Sequence, residues 1–196
     1  MLIRIFAFIL CTLVSPFFIV AYILIPLTSP GALFFAQKRT GKNKKTFTIY
    51  KIRTMSNHAE QQKNKYEHLN EVQKPVFKIH NDPRYTKIGK WLSHTGLDEL
   101  PQLINILKGE MAFVGPRPLP VHEANQVPQK YKKRFDVLPG ITSLWVVKGA
   151  HKLSFDEWME LDIRYVKEKN LFLDLHIAFL TVLMILKQIA RHIRFS

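Results

Sequence analysis

The stretch TGLDELPQLINILKG (residues 95–109) places two adjacent carboxylates directly before a pattern that is typical of an amphipathic helix. The spacing i, i+3, i+4, i+7 puts four apolar side chains on one helix face, those of Leu100, Leu103, Ile104 and Leu107. Gly109 then supplies a natural C-terminal stop. A helix that begins at Glu99 would have Asp98 as its N-cap and Pro101 in its first turn, where a missing N–H costs nothing.

The acidic pair Asp98-Glu99 has two interpretations. In the structural one, Asp98 caps the helix and Glu99 complements the helix dipole. In the chemical one, the positive helix end lowers the pKa of a carboxylate, which stays ionised as a nucleophile or as a ligand for a hard metal ion. Neighbouring side chains point about 100° apart on a helix, so the two carboxylates would take different roles. The residues alone leave both interpretations open.

The whole chain is short and strongly basic. It has 196 residues, with 29 Lys and Arg against 15 Asp and Glu, and a net charge of +14. This predicts one modest domain with accessory segments, and an anionic partner: nucleic acid, an anionic membrane face or a phosphorylated substrate. The single cysteine, Cys11, excludes an internal disulfide and a multi-cysteine zinc site.

The N-terminal residues 1–27 are almost entirely apolar and carry one charge, on Arg4. The run is too long for the apolar core of a signal peptide, and about 20 apolar residues are enough to span a bilayer. However, Ser15-Pro16 lies in its middle and predicts a break or kink, which would let both ends stay on one face of the membrane. A plain span and a re-entrant helix both stay open.

The next segments predict a small mixed domain on the cytoplasmic side. Residues 36–53 contain seven basic residues and no acidic one, which favours the cytoplasmic membrane face. Three further patterns are local: a strand over 47–55, a surface helix or mobile insertion over 56–74, and a turn followed by a short helix over 82–96.

The C-terminal stretch is apolar over residues 171–186 but contains Asp174 and His176. A charge in the bilayer core is costly, so we expect a core helix rather than a span. Arg191 and Arg194 follow, and predict an interfacial basic segment at the end of the chain.

Arg117 lies between Pro116 and Pro118, which restrict the backbone on both sides. An arginine held in this way suits bidentate phosphate recognition, although an exposed turn arginine is the plain alternative. Together with the acidic pair and the basic excess, it suggests phosphoryl-transfer chemistry. Walker A, GxGxxG, HExxH and GxSxG motifs are absent from the sequence, and the eight histidines have no ligand spacing.

Four blocks of the sequence strongly resemble the bacterial sugar transferase family, and within it the small monotopic phosphoglycosyl transferases. The blocks are SPGALFFAQKRTGKNKKTFTIYKIRTM (29–55), NDPRYTKIGKWL (81–92), GLDELPQLINILKGEMAFVGPRP (96–118) and LPGIT (138–142). The resemblance runs from about residue 12 to residue 185, in the order that the family has.

The resemblance implies an enzyme that moves a sugar-1-phosphate from a nucleotide diphosphosugar, usually a UDP-sugar, onto polyprenol (undecaprenyl) phosphate and so starts glycan assembly. It implies that Asp98 attacks the β-phosphate, that UMP leaves, and that Glu99, with Asp98, holds the required Mg²⁺. It also implies a set of basic residues that bind the substrate phosphates: Lys51, Arg53, Arg84 and Arg117.

The resemblance further implies an α-rich mixed α/β fold on the cytoplasmic face of the bacterial inner membrane, with amphipathic helices at the interface. Residues 1–27 would form a re-entrant helix-break-helix with its break at Ser15-Pro16, residues 28–186 the catalytic domain, and residues 187–196 a basic interfacial tail. The expected partners are the UDP-sugar, the polyprenol phosphate and membrane lipids, without nucleic acid. Whether the chain is a monomer or a homodimer stays open.

One block departs from the family pattern. After PGIT the chain reads SLWVVKGAHKL (143–153), so Ser143 replaces a glycine, Val146 a glutamine and Ala150 an arginine that the family associates with the phosphate region. This departure keeps a rival hypothesis in view, a weak or inactive member that acts as a membrane-surface scaffold. A second rival, a nucleic-acid-binding protein, is motivated by charge alone and does not explain the apolar N-terminus.

Overall fold

The computed structural model describes residues 2–71, 76–77, 79, 81–149 and 153–195. Its α-helices are α1 (Leu2–Thr28), α2 (Lys87–Thr95), α3 (Leu103–Lys108), α4 (Val121–Asn125), α5 (Leu144–Val147), α6 (Phe155–Glu168) and α7 (Leu171–Phe195). Its strands are β1 (Phe34–Thr40), β2 (Thr46–Ile52), β3 (Ala112–Val114), β4 (Leu119–Pro120) and β5 (Gly140–Thr142). Four segments are 3₁₀-helical: Lys42–Lys44, Asn64–Leu69, Leu97–Gln102 and Gln129–Asp136. The expected α-rich mixed α/β fold is confirmed.

The central sheet is built on the antiparallel hairpin of β1 and β2, which confirms most of the strand predicted over 47–55. Its register pairs Gln37 with Ile49 and Arg39 with Phe47, and β4 adds to the outer side of β1. Strands β3 and β5 form a separate parallel pair. Because side chains alternate along a strand, Arg39 of β1 and Lys51 of β2 project from the same face of the hairpin.

The backbone of α1 is helical through Ser15 and Pro16 without interruption, and the predicted kink at this site stays a prediction. Pro16 has no N–H for the carbonyl of Thr12 four residues earlier, and the Ser15 hydroxyl donates to that carbonyl instead, at 2.8 Å. The hydroxyl therefore satisfies the acceptor that the proline leaves unpaired, which lets the helix continue. The re-entrant path through a bilayer stays a prediction.

Both halves of α1 pack on the folded domain. Ala7 is buried in a cluster with Leu103 and Ile106, whereas Ala21 is buried in a second cluster with Leu92. The remaining surface of α1 exposes large apolar side chains along its length. Its length and composition, over Ile3–Thr28, are sufficient for crossing a membrane.

Helix α7 is not the core helix that was expected near the C-terminus, because most of its apolar surface is exposed. Ile177 is fully buried, but a row of apolar side chains is exposed: Leu171, Phe172, Leu175, Phe179, Val182 and Leu186. Asp174 does not oppose this arrangement, because it accepts a hydrogen bond from the Tyr165 hydroxyl at 2.7 Å on the packed side. Residues Leu171–Arg191 also have the length and composition of a membrane span, and the helix continues through the predicted boundary at 186/187.

The segment before the acidic pair folds as predicted, as a turn followed by α2. Thr86 caps this helix by accepting a hydrogen bond from the Gly89 N–H at 2.9 Å. Gly96 ends it in the left-handed conformation, with φ of 74°, a conformation that glycine adopts readily. In the earlier stretch 56–74, the structure has turns and a 3₁₀ segment, while residues 72–74 lie outside the described residues.

The helix predicted from Glu99 begins four residues later than expected. Residues Leu97–Gln102 are 3₁₀-helical, and Asp98 is not an N-cap, because Gly96 occupies that position. A 3₁₀ segment has about 3.0 residues per turn instead of 3.6, so the side chains that follow are rotated from the predicted face. As a result Leu103 and Ile106 are buried, whereas Ile104 is 44 % exposed.

Candidate active site

The acidic pair lies at a small cleft between the β1–β2 hairpin and the 3₁₀ segment Leu97–Gln102. The cleft has a volume of about 180 Å³ including its open mouth. It is lined by residues that come from four parts of the chain: Arg39, Ile49, Lys51, Glu99, Gln102, Arg117 and Pro118. The hairpin supplies the first three, and the loop between β3 and β4 supplies the last two.

Glu99 is the most strongly bonded carboxylate of the cleft. Its Oε1 accepts from Lys51 Nζ at 2.7 Å and from Arg117 Nη1 at 3.2 Å, and its Oε2 accepts from Gln102 Nε2 at 3.0 Å. Burial would by itself raise the pKa of Glu99, but the two cations outweigh it and hold that pKa well below its usual range. Glu99 is therefore ionised across the physiological pH range.

Asp98 is more deeply buried than Glu99 but has weaker partners. Its nearest cation is Lys51, with 3.9 Å between Nζ and Oδ2. Burial raises the pKa of Asp98 to about 6, and Lys51 opposes this shift only in part. The lowered pKa expected from a helix N-terminus is therefore wrong for Asp98, because the residue lies inside a 3₁₀ turn and is desolvated.

The two adjacent carboxylates are therefore different chemical groups. Glu99 is charge-compensated, while Asp98 is a desolvated carboxylate whose electron pairs are not taken up by short ionic contacts. Pairs of titratable groups whose environments separate their pKa values are typical of active sites. The chemical interpretation of the pair is thus favoured over the structural one.

The structure brings Lys51 and Arg117 to the acidic pair, but not the other two predicted phosphate ligands. Arg53 donates to the carbonyls of Ser29 and Pro30, where the chain leaves α1. Arg84 is buried and bound to Asp82 at 2.6 Å. Among the described residues neither guanidinium contacts Asp98 or Glu99, so their assignment to substrate phosphates stays a prediction.

Arg117 is held by contacts at both ends. Its backbone carbonyl accepts from Arg134 Nη2 at 2.8 Å, and Arg134 is itself paired with Asp162 at 2.7 Å. Its guanidinium lies over the Trp145 ring, 5.7 Å from the centroid, and Trp145 stacks on Trp158 at 4.3 Å. The loop arginine is therefore fixed by α5, α6 and the 3₁₀ segment Gln129–Asp136 rather than by its flanking prolines alone.

Two cleft residues were missed by sequence reasoning. Arg39 lies in the basic run 36–53, but its position in the cleft depends on the register of the hairpin. Gln102 belongs to the LDELPQL motif and contacts Glu99 directly. The period-two alternation of the strands would have placed Arg39 on the same face as Lys51 if the turn over Lys42–Lys44 had been recognised.

The residues present are compatible with a divalent cation at the acidic pair. Within the described residues, no group of three or more His, Cys, Asp or Glu side chains forms a closed metal site. Mg²⁺, however, commonly uses one or two carboxylates together with substrate phosphates and water. Gln102 Oε1 is a buried acceptor without a partner next to Glu99 Oε2. This oxygen-rich edge fits Mg²⁺ or its water ligands, and the Mg²⁺ site stays a prediction.

Part of the block that departs from the family pattern after PGIT has a local structural role near the cleft. Ser143, in place of the family's glycine, is buried and caps α5 by accepting from the Val146 N–H at 3.3 Å. Lys148, one candidate to replace the missing arginine, is exposed. Ala150 and His151 lie outside the described residues, so the effect of the missing arginine stays an open prediction.

Comparison with known proteins identifies the family. The family model of the bacterial sugar transferases matches residues 2–188. The chain is 40 % identical over 171 residues to the galactosyl transferase CpsE of Streptococcus agalactiae, covering 86 % of this chain but 38 % of that protein. It is 34 % identical over 174 residues to the exopolysaccharide production protein ExoY of Rhizobium meliloti, covering 87 % and 77 %.

The name of a third relative states the reaction that this relative catalyses. The chain is 35 % identical over 179 residues to the UDP-glucose:undecaprenyl-phosphate glucose-1-phosphate transferase of Escherichia coli, covering 87 % of this chain and 36 % of that protein. The chain thus spans less than half the length of some relatives and about three quarters of others. Because the family model covers nearly all of it, the chain belongs to the bacterial sugar transferase family.

Proposed function

We propose that this chain transfers a sugar-1-phosphate from a UDP-sugar to a polyprenol phosphate such as undecaprenyl phosphate, through a covalent intermediate on Asp98. The observation that carries the proposal is the contrast within the acidic pair. Glu99 is bonded to Lys51 and Arg117, whereas Asp98 is desolvated and weakly paired. The Escherichia coli relative, whose name states a transfer of glucose-1-phosphate from UDP-glucose to undecaprenyl phosphate, supports the same reaction class.

In the first step a carboxylate oxygen of ionised Asp98 attacks the β-phosphorus of the donor. The bond from that phosphorus to the oxygen bridging the two phosphates breaks, and UMP leaves with the electron pair. The sugar phosphate is then held on Asp98 as a mixed anhydride. A carboxylate that is removed from water and not held by close cations is the better nucleophile of the two.

In the second step an oxygen of the polyprenol phosphate attacks the same phosphorus. The bond to Asp98 breaks, the carboxylate is regenerated, and the product is a polyprenol diphosphate sugar. No proton needs to be removed from either nucleophile, because both attack as anions. Asp98 is buried, so the protein also restricts the access of water, which would otherwise hydrolyse the intermediate.

The basic residues of the cleft stabilise the charge of the reacting phosphates. Lys51 lies within 4 Å of both carboxylates, so it contacts the position where phosphate charge develops next to Asp98. Arg117 offers a planar fork that suits phosphate oxygens. Bound Mg²⁺, held by Glu99 and the free oxygen of Gln102, would neutralise phosphate charge, favour departure of UMP and leave Asp98 free to attack.

We further propose that the chain works at the cytoplasmic face of the bacterial inner membrane. Helices α1 and α7 both expose long apolar surfaces, and each is long enough to enter a bilayer. Because Ala7 and Ala21 of α1 both pack on the domain, the two halves of this helix stay on the domain's side. This is compatible with a re-entrant or interfacial α1, which would bring Asp98 close to the lipid acceptor.

The test is UMP release from a panel of UDP-sugars by the purified full chain, with Mg²⁺ and undecaprenyl phosphate, alongside Asp98→Asn. We expect release that needs the lipid for full turnover and that falls by about 10⁴-fold or more in Asp98→Asn. The matched control is Asp156→Asn, because Asp156 is exposed and paired with Lys130 on the surface. No release across the panel from folded protein would contradict the proposal and favour the scaffold hypothesis.

A covalent intermediate gives an independent readout. Incubation with the labelled UDP-sugar alone, without the lipid, should label the protein in a ratio of about one sugar phosphate per chain, and the label should map to Asp98. Transfer without such labelling in rapid-quench experiments would instead indicate direct attack of the lipid phosphate on the donor.

A further inference from the structure

Arg39 is a half-buried cation whose partners are all neutral. Its Nη1 donates to the carbonyl of Pro118 at 3.1 Å, and its Nη2 donates to Gln37 Oε1 at 2.6 Å. Its Nε is buried without a hydrogen-bond partner. In the described part of the chain, no carboxylate oxygen lies within 4 Å of its guanidinium. A buried charge is costly unless an opposite charge and hydrogen bonds compensate it, so Arg39 lacks an anion.

The surroundings of Arg39 increase this excess of positive charge. The cleft is lined by Arg39, Lys51 and Arg117 against a single carboxylate, that of Glu99. Lys51 and Arg117 both already contact Glu99 Oε1. Burial lowers the pKa of Arg39 to about 10, and the repulsion from Arg117 adds to this shift, whereas Glu123, Glu99 and Glu60 oppose it by smaller amounts.

The position of Arg39 is fixed before any ligand arrives. It pairs with Phe47 in the hairpin and with Pro120 of β4, so its backbone lies in the middle strand of the sheet. Gln37 and the carbonyl of Pro118 fix the guanidinium plane. A cation that is already oriented loses little conformational entropy when it binds a ligand, which favours tight and specific phosphate binding.

We propose that Arg39 is a further phosphate ligand of the cleft, acting next to Arg117 across Pro118. The ligand chemistry is a phosphate group, which either the nucleotide diphosphate donor or the lipid phosphate can supply. The assignment of this phosphate to a substrate of the enzyme rests on the proposed function, whereas the proposal that Arg39 binds a phosphate does not. An incoming phosphate supplies the missing anion and relieves the repulsion between the two arginines.

The experiment measures equilibrium binding in the full chain carrying Asp98→Asn, so that no turnover takes place. UDP and undecaprenyl phosphate are titrated separately at fixed Mg²⁺, by calorimetry or by the shift in melting temperature. Arg39→Gln should weaken the binding of at least one of them about tenfold or more, and Arg39→Lys by a smaller factor, since lysine keeps the charge but not the fork. The matched control is Arg164→Gln, because Arg164 is exposed and bonded to Glu168.

Each outcome decides between the alternatives. Weaker binding of UDP alone assigns Arg39 to the donor site, and weaker binding of the lipid alone assigns it to the acceptor site. Either of these outcomes supports the proposal, and so does weaker binding of both ligands. Unchanged binding of both ligands in folded Arg39→Gln would overturn it. If Arg39→Gln does not fold, Arg39→Lys decides, since it keeps the buried charge: affinities equal to those of the parent would overturn the proposal.

The result is separable from that of the proposed function. UMP release with unchanged phosphate affinity in the Arg39 variants would leave the transferase intact and remove Arg39 from the site. Conversely, phosphate binding that depends on Arg39, in a chain that releases no UMP from any UDP-sugar, would keep the phosphate site and contradict the reaction.

Discussion

Two groups of acidic and basic side chains in the described part of the chain differ in how their charges are matched. In the internal pair, Arg134 donates through Nε and Nη2 to Asp162 at 2.9 and 2.7 Å, and both side chains are 1 % exposed. The cleft is lined by three cations and by one carboxylate, that of Glu99, and the neighbouring Asp98 is weakly paired. Matched charges with good geometry indicate a structural element, whereas unmatched charges indicate a site that a ligand completes.

The two groups are physically connected, because Arg134 also donates to the carbonyl of Arg117. The matched pair therefore orients one of the unmatched cations. This predicts that changes to the internal pair act first on stability and second on the reaction, whereas changes in the cleft act in the opposite order.

The largest effect is expected from breaking the internal pair on one side. Arg134→Met leaves Asp162 buried and unpaired, which should cost about 3–5 kcal/mol of the free energy of unfolding. Replacing both partners, as in Arg134→Met with Asp162→Leu, should recover most of this loss. Denaturation of the detergent-solubilised chain measures it, with Arg164→Met as control, since exposed pairs contribute about 1 kcal/mol or less. A single variant as stable as the parent would contradict the structural role.

A smaller effect is expected from Arg117→Lys, and it should appear in activity. Lysine keeps the charge near Glu99 but loses the planar fork and the contact with the Trp145 ring. We expect kcat/KM for the UDP-sugar to fall about 10- to 100-fold with little change in melting temperature. Arg164→Lys is the matched control. Loss of stability without loss of activity would place Arg117 with the internal pair instead of the cleft.

The pH dependence of the reaction should reflect the raised pKa of Asp98. The nucleophile must be ionised, and burial raises its pKa to about 6. Below that value kcat/KM should therefore fall about tenfold per pH unit, and above it the rate should level off. A steady-state profile between pH 4.5 and 8 with undecaprenyl phosphate at saturation tests this. A profile that is flat down to pH 4.5 would indicate that Asp98 keeps an ordinary pKa.

The smallest effect is a gain of stability in the inactive variant Asp98→Asn. Because the pKa of Asp98 is raised on folding, its contribution to stability is complete below pH about 4 and is lost as pH rises through about 6. Asparagine stays neutral, so at pH 7.5 it should stabilise the chain by about 1–2 kcal/mol, and the gain should shrink at pH 5. Melting curves at both pH values measure this gain. A loss of stability in the variant at pH 7.5 would mean that cations stabilise the charge of Asp98 as they stabilise that of Glu99.

Much of the local structure and half of the site could be predicted from the sequence. The β2 strand and the α2 helix follow from short patterns that local chemistry determines. Lys51, Glu99 and Arg117, which the resemblance and the local sequence suggested, lie together at one cleft, while their roles stay predictions. Helix α1 runs through Ser15-Pro16, where the Ser15 hydroxyl donates to the carbonyl that the proline leaves unpaired, and the predicted kink stays a prediction. The prediction that the C-terminal helix lies in the core was wrong, because only a narrow side of α7 packs on the domain. The sequence shows that the helix is apolar but not how much of its apolar surface the domain covers.

The sequence by itself determined the family, the acidic pair and the charge of the chain, since these depend on residue types in a fixed order. Only the tertiary structure decided how the two carboxylates differ. In the sequence, Asp98 and Glu99 are adjacent carboxylates with similar ordinary pKa values. In the structure their pKa values separate, because Lys51 and Arg117, from distant segments, contact Glu99 more closely than Asp98. Arg39 joined the cleft in the same way, through a strand register that no local pattern specified.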